Sequence, residues 1–400
     1  MQDNEKKPAL RFKGFTDPWE QRKLGEIAVF SKGVGYSKND LCEEGTPIIL
    51  YGRLYTKYET CIFDVDTFVK EKAGGVYSKG GEVIVPASGE TAEDISIASV
   101  VVKPGILLGG DLNIVSPTAE YDSAFLALTI SSGATHKYLS SLAQGKSVVH
   151  LHNADIQSVS AKFPTKREQE KIHLLFGKID TLITLHQRKY EKLVNIKKSM
   201  LDKMFPKNGA SVPEIRFKGF TDLWEQRKLG DVADIVGGGT PSTNNPNYWD
   251  GDIDWYAPAE IAGQIYFDSS QRKITEQGYE NSSAKMLPPG TVLFTSRAGI
   301  GKTAILSKKG CTNQGFQSIV PHNDELDSYF VFSRTDELKQ YGELVGAGST
   351  FVEVSGKQMA AMNLKMPTTI EEQQTIGRFF KRLDTLITLH QRKLEKLQNI

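Results

Sequence analysis

The sequence predicts an α+β protein: two mixed α/β domains separated by two long antiparallel coiled-coil helices, with the halves related as a pseudo-two-fold internal repeat. Two segments that recur at a nearly constant offset predict the repeat. Two stretches with apolar residues at heptad spacing predict the helices. The length of 400 residues agrees, because it is enough for two or three separate cores.

The repeat is visible in the letters of the chain. RFKGFTDPWEQRKLGEIA at Arg11–Ala28 recurs as RFKGFTDLWEQRKLGDVA at Arg216–Ala233, with 15 of 18 positions identical. DTLITLHQRKYEKLVNI at Asp180–Ile196 recurs as DTLITLHQRKLEKLQNI at Asp384–Ile400, with 15 of 17 identical. The offsets are 205 and 204 residues, so a unit of nearly constant length has been duplicated.

The inserts between the matched segments have diverged. Residues 29–163 and 234–366 align only in outline, as in EVIVPAS from Glu82 against TVLFTSR from Thr291. Short runs rich in Val, Ile and Thr, broken by Gly and Pro, predict compact mixed α/β domains. Uniform drift would not spare two segments and erase the rest, so we interpret the inserts as selectively diverged.

The first long helix is predicted from Lys166 to Met204, and the second has its apolar seam from Ile376 to Ile400; each seam needs a partner. Pro164 and Pro367 precede them, with Thr165 or Thr368 as a possible N-cap, and Pro206 would end the first helix. The predicted boundaries are 1–164 for the first domain with its repeat segment, 165–207 for the central helix, 208–367 for the second domain and 368–400 for the C-terminal helix.

His186 and His390 occupy equivalent positions on the two seams. A polar residue at a seam position can specify how helices pair, at some cost in stability. We therefore expect a buried, hydrogen-bonded pair that sets the register, and a ligand role is the alternative.

Composition narrows the class of protein. With 49 Lys+Arg against 48 Asp+Glu, the formal net charge is +1, which excludes a uniformly basic nucleic-acid coat and leaves local patches as the only route to nucleic-acid binding. Cys42, Cys61 and Cys311 form no CxxC pair, so neither a disulfide framework nor a zinc site is predicted. The apolar runs are too short for a membrane span, and we expect a cytoplasmic protein without membrane contact.

At this point the chain resembles the specificity subunits of type I restriction-modification enzymes, over essentially its whole length. The resemblance is carried by PALRF from Pro8 and PEIRF from Pro213, the WEQRKLG segments, the Glu-Gln helix starts at Glu168 and Glu371, and the duplicated helices. The second insert adds GGGTPSTNNPNYWDGDIDWYAPAEI at Gly237–Ile261 and TNQGFQSIVP from Thr312. The first insert departs from this pattern with FSKGVGYSKNDLCEEGTPIILYGRLY, so its target cannot be inferred from the second.

The resemblance implies a non-catalytic DNA-recognition subunit. Each insert would be a target-recognition domain for one half of a bipartite, asymmetric site in double-stranded DNA, and the helices would set the gap. The repeated segments would dock two modification subunits that bind S-adenosylmethionine, and restriction subunits that use ATP and Mg would join for cleavage. The chain itself would carry no cofactor, no metal and no catalytic residue.

Candidate DNA contacts follow from the chemistry of base edges and phosphates, since Arg pairs with guanine and Asn or Gln with adenine. The candidates are polar or cationic side chains in the predicted loops of the inserts. In the first domain they are Tyr36, Lys38, Arg53, Tyr55, Lys57, Lys146 and His150, and in the second they are Thr240, Ser242, Asn244, Arg297, Lys302, Gln314, Gln317 and Lys357.

Two motifs imitate other sites. AGIGKT at Ala298–Thr303 ends like a phosphate-binding loop but has Ser296 where that loop needs glycine, which favours a glycine turn that presents Arg297 and Lys302. DGDID at Asp250–Asp254 starts like a calcium loop but lacks its glycine and its glutamate. Two other functions remain open: a self-contained methyltransferase or nuclease, and a coiled-coil adaptor that joins two protein-binding domains.

Overall fold

The computed structural model describes residues 8–145, 147–207, 209–261, 263–297, 299–347 and 353–399. The chain divides into two compact units, Met1–Thr184 and Leu185–Ile400. The division lies within the central helix, so the C-terminal part of that helix belongs to the second unit. The domain boundaries expected from the sequence remain a prediction.

The first unit combines short strands with helices. Its strands are β1 Glu20–Lys23, β2 Ala28–Lys32, β3 Leu41–Cys42, β4 Thr46–Ile49, β5 Cys61–Ile62, β6 Phe68–Val69, β7 Glu82–Pro86, β8 Ser88–Gly89, β9 Ser99–Val101, β10 Leu107–Leu108, β11 Leu112–Pro117, β12 Val149–His150 and β13 Ser160–Phe163. Its helices are α1 Leu24–Ile27, α2 Gly52–Thr56, α3 Ser123–Ser131, α4 Gly133–Leu142, α5 Asn153–Ser158 and the start of α6 Lys166–Lys203.

The second unit also combines short strands with helices. Its strands are β14 Glu225–Lys228, β15 Ala233–Gly237, β16 Trp249–Tyr256, β17 Tyr266–Phe267, β18 Arg272–Ile274, β19 Val292–Phe294, β20 Thr303–Leu306, β21 Cys311–Thr312, β22 Gln317–Pro321 and β23 Asn363–Met366. Its helices are α7 Leu229–Val232, α8 Glu276–Glu280, α9 Ser328–Ser333, α10 Thr335–Gly346, α11 Gly356–Ala360 and α12 Ile370–Gln398.

A five-stranded sheet of one topology forms the centre of each unit. The strand order is β2-β11-β7-β9-β5 in the first and β15-β22-β19-β20-β17 in the second. In both sheets the first four strands pair antiparallel and the last pairs parallel to its neighbour. The inserts thus share a fold although their sequences align only in outline, which confirms the pseudo-repeat.

The repeated WEQRKLG segments close each insert. β1 pairs antiparallel with β13, so that Glu20 lies opposite Phe163, and β14 pairs with β23, so that Glu225 lies opposite Met366. The beginning and the end of each insert therefore meet next to the start of a long helix.

The cores explain why these strands form. Alternate strand residues such as Val83 and Val115 in the first sheet and Val292 and Ile319 in the second are fully buried. Burial of an aliphatic side chain of this size contributes about 1.5 to 3 kcal/mol. Helices α3 and α9 cover the corresponding face of each sheet, and both are capped by an aspartate, Asp122 and Asp327.

The two long helices match the prediction from the apolar seams. α6 has 38 residues and α12 has 29. The expected cap at Thr368 was wrong by one position: Thr369 has an extended backbone and accepts a hydrogen bond from the backbone N–H of Glu372 at 3.4 Å. The second copy has one extra residue between its proline and its Glu-Gln pair, because Pro367 to Glu372 is one position longer than Pro164 to Glu168. Glu372 rather than Glu371 is therefore the counterpart of Glu168.

Within the second unit, the end of α6 and α12 are antiparallel. His186 contacts His390, and the Lys197 ammonium donates to the Asp384 carboxylate at 2.5 Å, so position numbers rise on one helix as they fall on the other. The Nδ1 atoms of the two histidines are 2.8 Å apart. The pair is thus in contact as expected, while its role in setting the register remains a prediction.

Of the helices in the described ranges, none combines the length and apolar composition required to cross a bilayer.

Candidate nucleic-acid interface

Strand directions gather the polar loops of the second unit at one end of its sheet. Gly237, the last residue of β15, lies opposite Gln317, the first residue of β22. Phe294 at the end of β19 lies opposite Thr303 at the start of β20, and Thr295 bridges to Phe316. The loops at this end of the sheet are called the second face.

The turn between β19 and β20 presents Arg297 and Lys302. Gly299 and Gly301 have φ values of 102° and 92°, which only glycine adopts without strain, and this confirms the predicted glycine turn. Arg297 is half-buried, bridges to Glu353 through the backbone and lies beside Gly315, where a Cβ atom would be 3.5 Å from the Arg297 Nε. Lys302 is exposed.

Four more candidates lie around the same loop. The Thr240 hydroxyl donates to the side-chain carbonyl of the exposed Gln314. The amide group of Gln317 is beside Gly237 and Gly356, since a Cβ atom on either would lie 3.6 Å and 3.1 Å from its Oε1. Lys357 follows Gly356 in the first turn of α11 and is exposed. The structure therefore brings these residues together with Arg297.

Ser242 and Asn244 lie on the exposed loop that follows β15. Two indoles hold this loop: the Nε1–H of Trp249 donates to the Ser242 carbonyl at 3.1 Å, and that of Trp255 donates to the Gly239 carbonyl at 2.8 Å. The Arg272 guanidinium lies 3.7 Å from the centre of the Trp249 ring. Sequence reasoning missed these supporting residues, although the aromatic composition of NYWDGDIDWY was a signal.

The first unit has an equivalent end of the sheet, called the first face. Ser88 follows β7 as Arg297 follows β19, and β8 pairs with β12 so that Ser88 lies opposite His150. The Tyr55 hydroxyl donates to the Ser88 carbonyl at 2.8 Å, and the Ser88 hydroxyl is 3.2 Å from the His150 Nδ1. Burial raises the pKa of Tyr55, so its hydroxyl stays protonated as a donor.

The polar groups of three other first-domain candidates already form hydrogen bonds or ion pairs within the unit. Tyr36 is buried, and its hydroxyl is bonded to the backbone N–H of Lys72 at 2.6 Å. Arg53 is buried and forms ion pairs with Glu59 and Asp66, at 2.7 and 2.8 Å. Lys57 is exposed but also pairs with Asp66, at 3.0 Å.

Lys38 is exposed in a short turn, and Lys146 lies outside the described residues. The acidic residues between Glu59 and Asp66 were a sequence signal that Arg53 has an internal partner.

The two faces differ in charge at equivalent positions. The first has the acidic stretch Glu90–Asp94 after Ser88, where the second has a glycine turn with Arg297 and Lys302. Within the described ranges, no cluster of three or more His, Cys, Asp or Glu side chains is placed to hold a metal ion. The geometry offers hydrogen-bond donors and acceptors for contact with a ligand.

Two α/β units of one topology, each with polar loops at one end of its sheet and followed by a long helix, define a tandem recognition module. The family model described as "Type I restriction modification DNA specificity domain" matches residues 16–195 and again residues 221–399. The chain therefore belongs to this family of specificity domains, with two copies that cover most of its length.

Two relatives of this chain are named as type I restriction enzyme specificity subunits, which is consistent with the family. The chain is 36% identical over 180 residues to the type I restriction enzyme MjaIX specificity subunit of Methanocaldococcus jannaschii, an alignment that covers 44% of this chain and 41% of that protein. It is 28% identical over 170 residues to the EcoR124I/EcoR124II specificity subunit of Escherichia coli, covering 40% of this chain and 41% of the relative. The chain thus spans about two-fifths of the length of each of these two relatives.

The fold matches a solved structure over nearly its whole length. The S subunit of a type I restriction-modification system from M. genitalium superposes with a TM-score of 0.62 at 13% identity, covering 97% of this chain and 94% of that one. At this identity the likeness supports the fold.

Proposed function

We propose that the chain is the DNA sequence-specificity subunit of a type I restriction-modification complex. Each unit recognises one half of a bipartite, asymmetric site in double-stranded DNA, and the long helices set the gap between the halves. The observation that carries the proposal is that two sheets of one topology present unlike side chains at the same end. An asymmetric target requires this combination of equal frameworks and different contact surfaces.

The second face has the chemistry for base recognition. A guanidinium can pair with O6 and N7 of guanine, and a side-chain amide can pair with N6 and N7 of adenine. Arg297, Gln314 and Gln317 provide these groups, while Lys302 and Lys357 are suited to phosphates, so that affinity falls with salt. Thr240, Ser242 and Asn244 supply further hydrogen bonds.

On the first face, Tyr55, His150 and the exposed Lys38 are the proposed contacts. Tyr36 and Arg53 are left out because their polar groups are already bonded inside the unit. Lys57 contributes only if it exchanges Asp66 for a phosphate.

Catalysis belongs to partner subunits in this proposal. Two modification subunits, which bind S-adenosylmethionine, dock on the repeated segments, and restriction subunits that use ATP and Mg join them in the cytoplasm. The chain supplies no cofactor site of its own. A continuous helix of 38 residues is about 57 Å long at 1.5 Å per residue, which is long enough to act as a spacer on B-DNA.

The adaptor hypothesis explains the helices equally well but predicts no preference for a gapped DNA sequence. The enzyme hypothesis predicts that the isolated chain binds S-adenosylmethionine. Selection of bound duplexes from a random pool, and calorimetry with the cofactor, distinguish these alternatives.

Exchange of the first insert tests the proposal directly. Residues 29–163 are replaced by the insert of another such subunit, and methylated sites are mapped in cells that also contain the modification subunit. The expected result is a new sequence in one half-site with the other half unchanged. A change in both halves would contradict independent recognition by the two units.

A further inference from the structure

Two neighbouring cations in β18 of the second unit lie on opposite faces of a small sheet. This sheet has the strand order β18-β16-β21, and in it Trp255 lies opposite Arg272, while Asp254 lies opposite Lys273. Because side chains alternate along a strand and opposite residues share a face, Arg272 and Trp255 lie on one face. Lys273 and Asp254 lie on the other.

The two cations differ in their partners. The Lys273 ammonium is 3.6 Å from the Asp254 carboxylate, which also accepts a hydrogen bond from the Ser270 hydroxyl at 3.1 Å. Arg272 is exposed, and among the described residues no carboxylate forms an ion pair with it. The charge of Lys273 is therefore matched within the unit, whereas that of Arg272 is available to an external group.

The Arg272 guanidinium is nevertheless held in place by two tryptophans. It lies over the ring of Trp249, 3.7 Å from the ring centre, and is 5.8 Å from the centre of the Trp255 ring. The two indoles meet at 87° and are buried, with 7% and 4% of each residue exposed. Stacking uses the flat face of a guanidinium and leaves the N–H groups at its edge available. Arg272 therefore presents a fork of donors that has little conformational freedom left to lose on binding.

This fork adjoins the second face. The Nε1–H groups of the same two indoles donate to the carbonyls of Ser242 and Gly239, and so hold the loop that carries Thr240. The Thr240 hydroxyl donates to the side-chain carbonyl of Gln314, which connects this loop to the rest of the second face. One aromatic pair thus supports both Arg272 and the loop of candidate contacts.

We propose that Arg272 is a further DNA contact of the second unit, with Trp249 as the platform that orients it. The guanidinium donates two hydrogen bonds to a pair of acceptor atoms on the duplex. Guanine presents such a pair as O6 and N7, and a phosphate group presents it as two oxygens. The inference rests on the proposed function, because it adds a residue to the same recognition surface.

Titration of the complex with its modification subunits tests the assignment, with a duplex that carries the sequence found by methylation mapping and with single-base variants of it. Arg272→Ala should weaken binding to the cognate duplex about ten-fold, because two charge-assisted hydrogen bonds are lost. Lys273→Ala is the matched control. It removes the same charge from the next position, but Asp254 already neutralises that charge, so the affinity should stay nearly unchanged. Thermal melting of each variant establishes that it is folded.

Arg272→Lys distinguishes the two kinds of acceptor, because lysine keeps the charge and loses the fork. With guanine as the acceptor, both Arg272 variants lose discrimination at one base pair. With phosphate as the acceptor, Arg272→Ala weakens binding to every duplex equally and reduces the slope of log K against log salt by about 1, and Arg272→Lys restores the slope.

The outcomes separate this inference from the proposed function. Sequence-selective binding that Arg272→Ala leaves unchanged, even with a lower melting temperature, would overturn the assignment alone and make the arginine a support for the fold. Equal weakening by Lys273→Ala would attribute the effect to net charge and overturn the assignment as well. A wild-type complex that selects no sequence would refute the proposed function itself, and this inference with it.

Discussion

The guanidinium group of Arg11 donates two hydrogen bonds to the carboxylate of Glu168, both at 2.7 Å. Arg216 repeats the arrangement with Glu372, at 2.7 and 2.8 Å. Each pair ties an RFKGF segment to the first turn of a long helix, 157 or 156 positions away. The pairs explain why two separate segments recur together while the inserts between them differ.

The neighbouring glutamines bind each insert through backbone groups. Gln169 accepts from the backbone N–H of Asp122 at 2.9 Å, and Gln373 accepts from that of Asp327 at 3.1 Å. Because these two contacts use backbone N–H groups of the insert, an insert of different sequence can still form them. This geometry favours modular exchange of the inserts.

Removal of one partner from the buried ion pair should destabilise the second unit. Glu372 is 3% exposed, and Glu372→Ala leaves the Arg216 guanidinium without its bidentate partner, which costs about 3 kcal/mol or more. Denaturant unfolding of the full chain measures the change. Glu343→Ala is the control, because Glu343 forms an exposed ion pair with Lys339 and should change the free energy of unfolding by less than about 0.5 kcal/mol. Equal effects of the two substitutions would refute the structural role of the pair.

The histidine pair should make the stability of the second unit depend on pH. His390 is 6% exposed, and its burial, followed by the charges of His186, Lys189 and Lys393, lowers its pKa below the ordinary value. The unfolded chain, with a histidine pKa of about 6.5, then binds the proton more readily than the folded chain. Stability from this group is therefore complete above about pH 6.5 and is lost as the pH falls through the folded-state pKa.

Thermal denaturation of the wild type should show a melting temperature that decreases between pH 7.5 and 5. His390→Leu cannot titrate and should flatten this dependence, while His322→Gln, at a more exposed position, should retain it. An identical pH profile for wild type and His390→Leu would exclude the pair as the origin.

Two adjacent glycines in the second face should respond differently to a methyl group. A Cβ atom on Gly238 would lie 2.0 Å from the Asn313 carbonyl oxygen, whereas on Gly237 its nearest neighbour would be 3.6 Å away. Gly238→Ala should therefore cost about 1 to 3 kcal/mol and displace the loop that carries Gln314. Gly237→Ala should leave thermal stability and DNA binding nearly unchanged. Similar melting temperatures for both variants would show that the close approach is unimportant.

Substitution of the two cations in the glycine turn should separate base recognition from phosphate contact. In the proposed function, Arg297→Ala loses about 1 to 3 kcal/mol of discrimination at one base pair. Lys302→Ala should instead weaken binding to all duplexes and reduce the slope of log K against log salt by about 1. Titrations of the complex with cognate and single-base variant duplexes at several salt concentrations measure both quantities. Equal loss of affinity for every duplex in Arg297→Ala would assign that side chain to the backbone.

Patterns that are local or periodic could be predicted from the chain alone. The offsets of the repeats predicted two similar units, and the heptad seam predicted both long helices and the contact between His186 and His390. The glycine turn at Gly299 and Gly301 was also predictable, because its geometry depends on residues close in sequence. The residues around Arg297 were predicted one by one as candidates, but their position together on one surface was not.

The sequence by itself determined the duplication, the long helices and the types of side chain available for contact, because these depend on spacing along the chain. Only the tertiary structure decided which of those side chains remain available. The Tyr36 hydroxyl is bonded to the backbone of Lys72, 36 positions away, and the Arg53 guanidinium is bonded to Asp66. Strand order places Thr240, Arg297 and Gln314 at one end of a sheet. Burial and pairing arise from contacts between residues that are distant in sequence. No single stretch of sequence therefore shows whether a given side chain is buried, paired or free to bind.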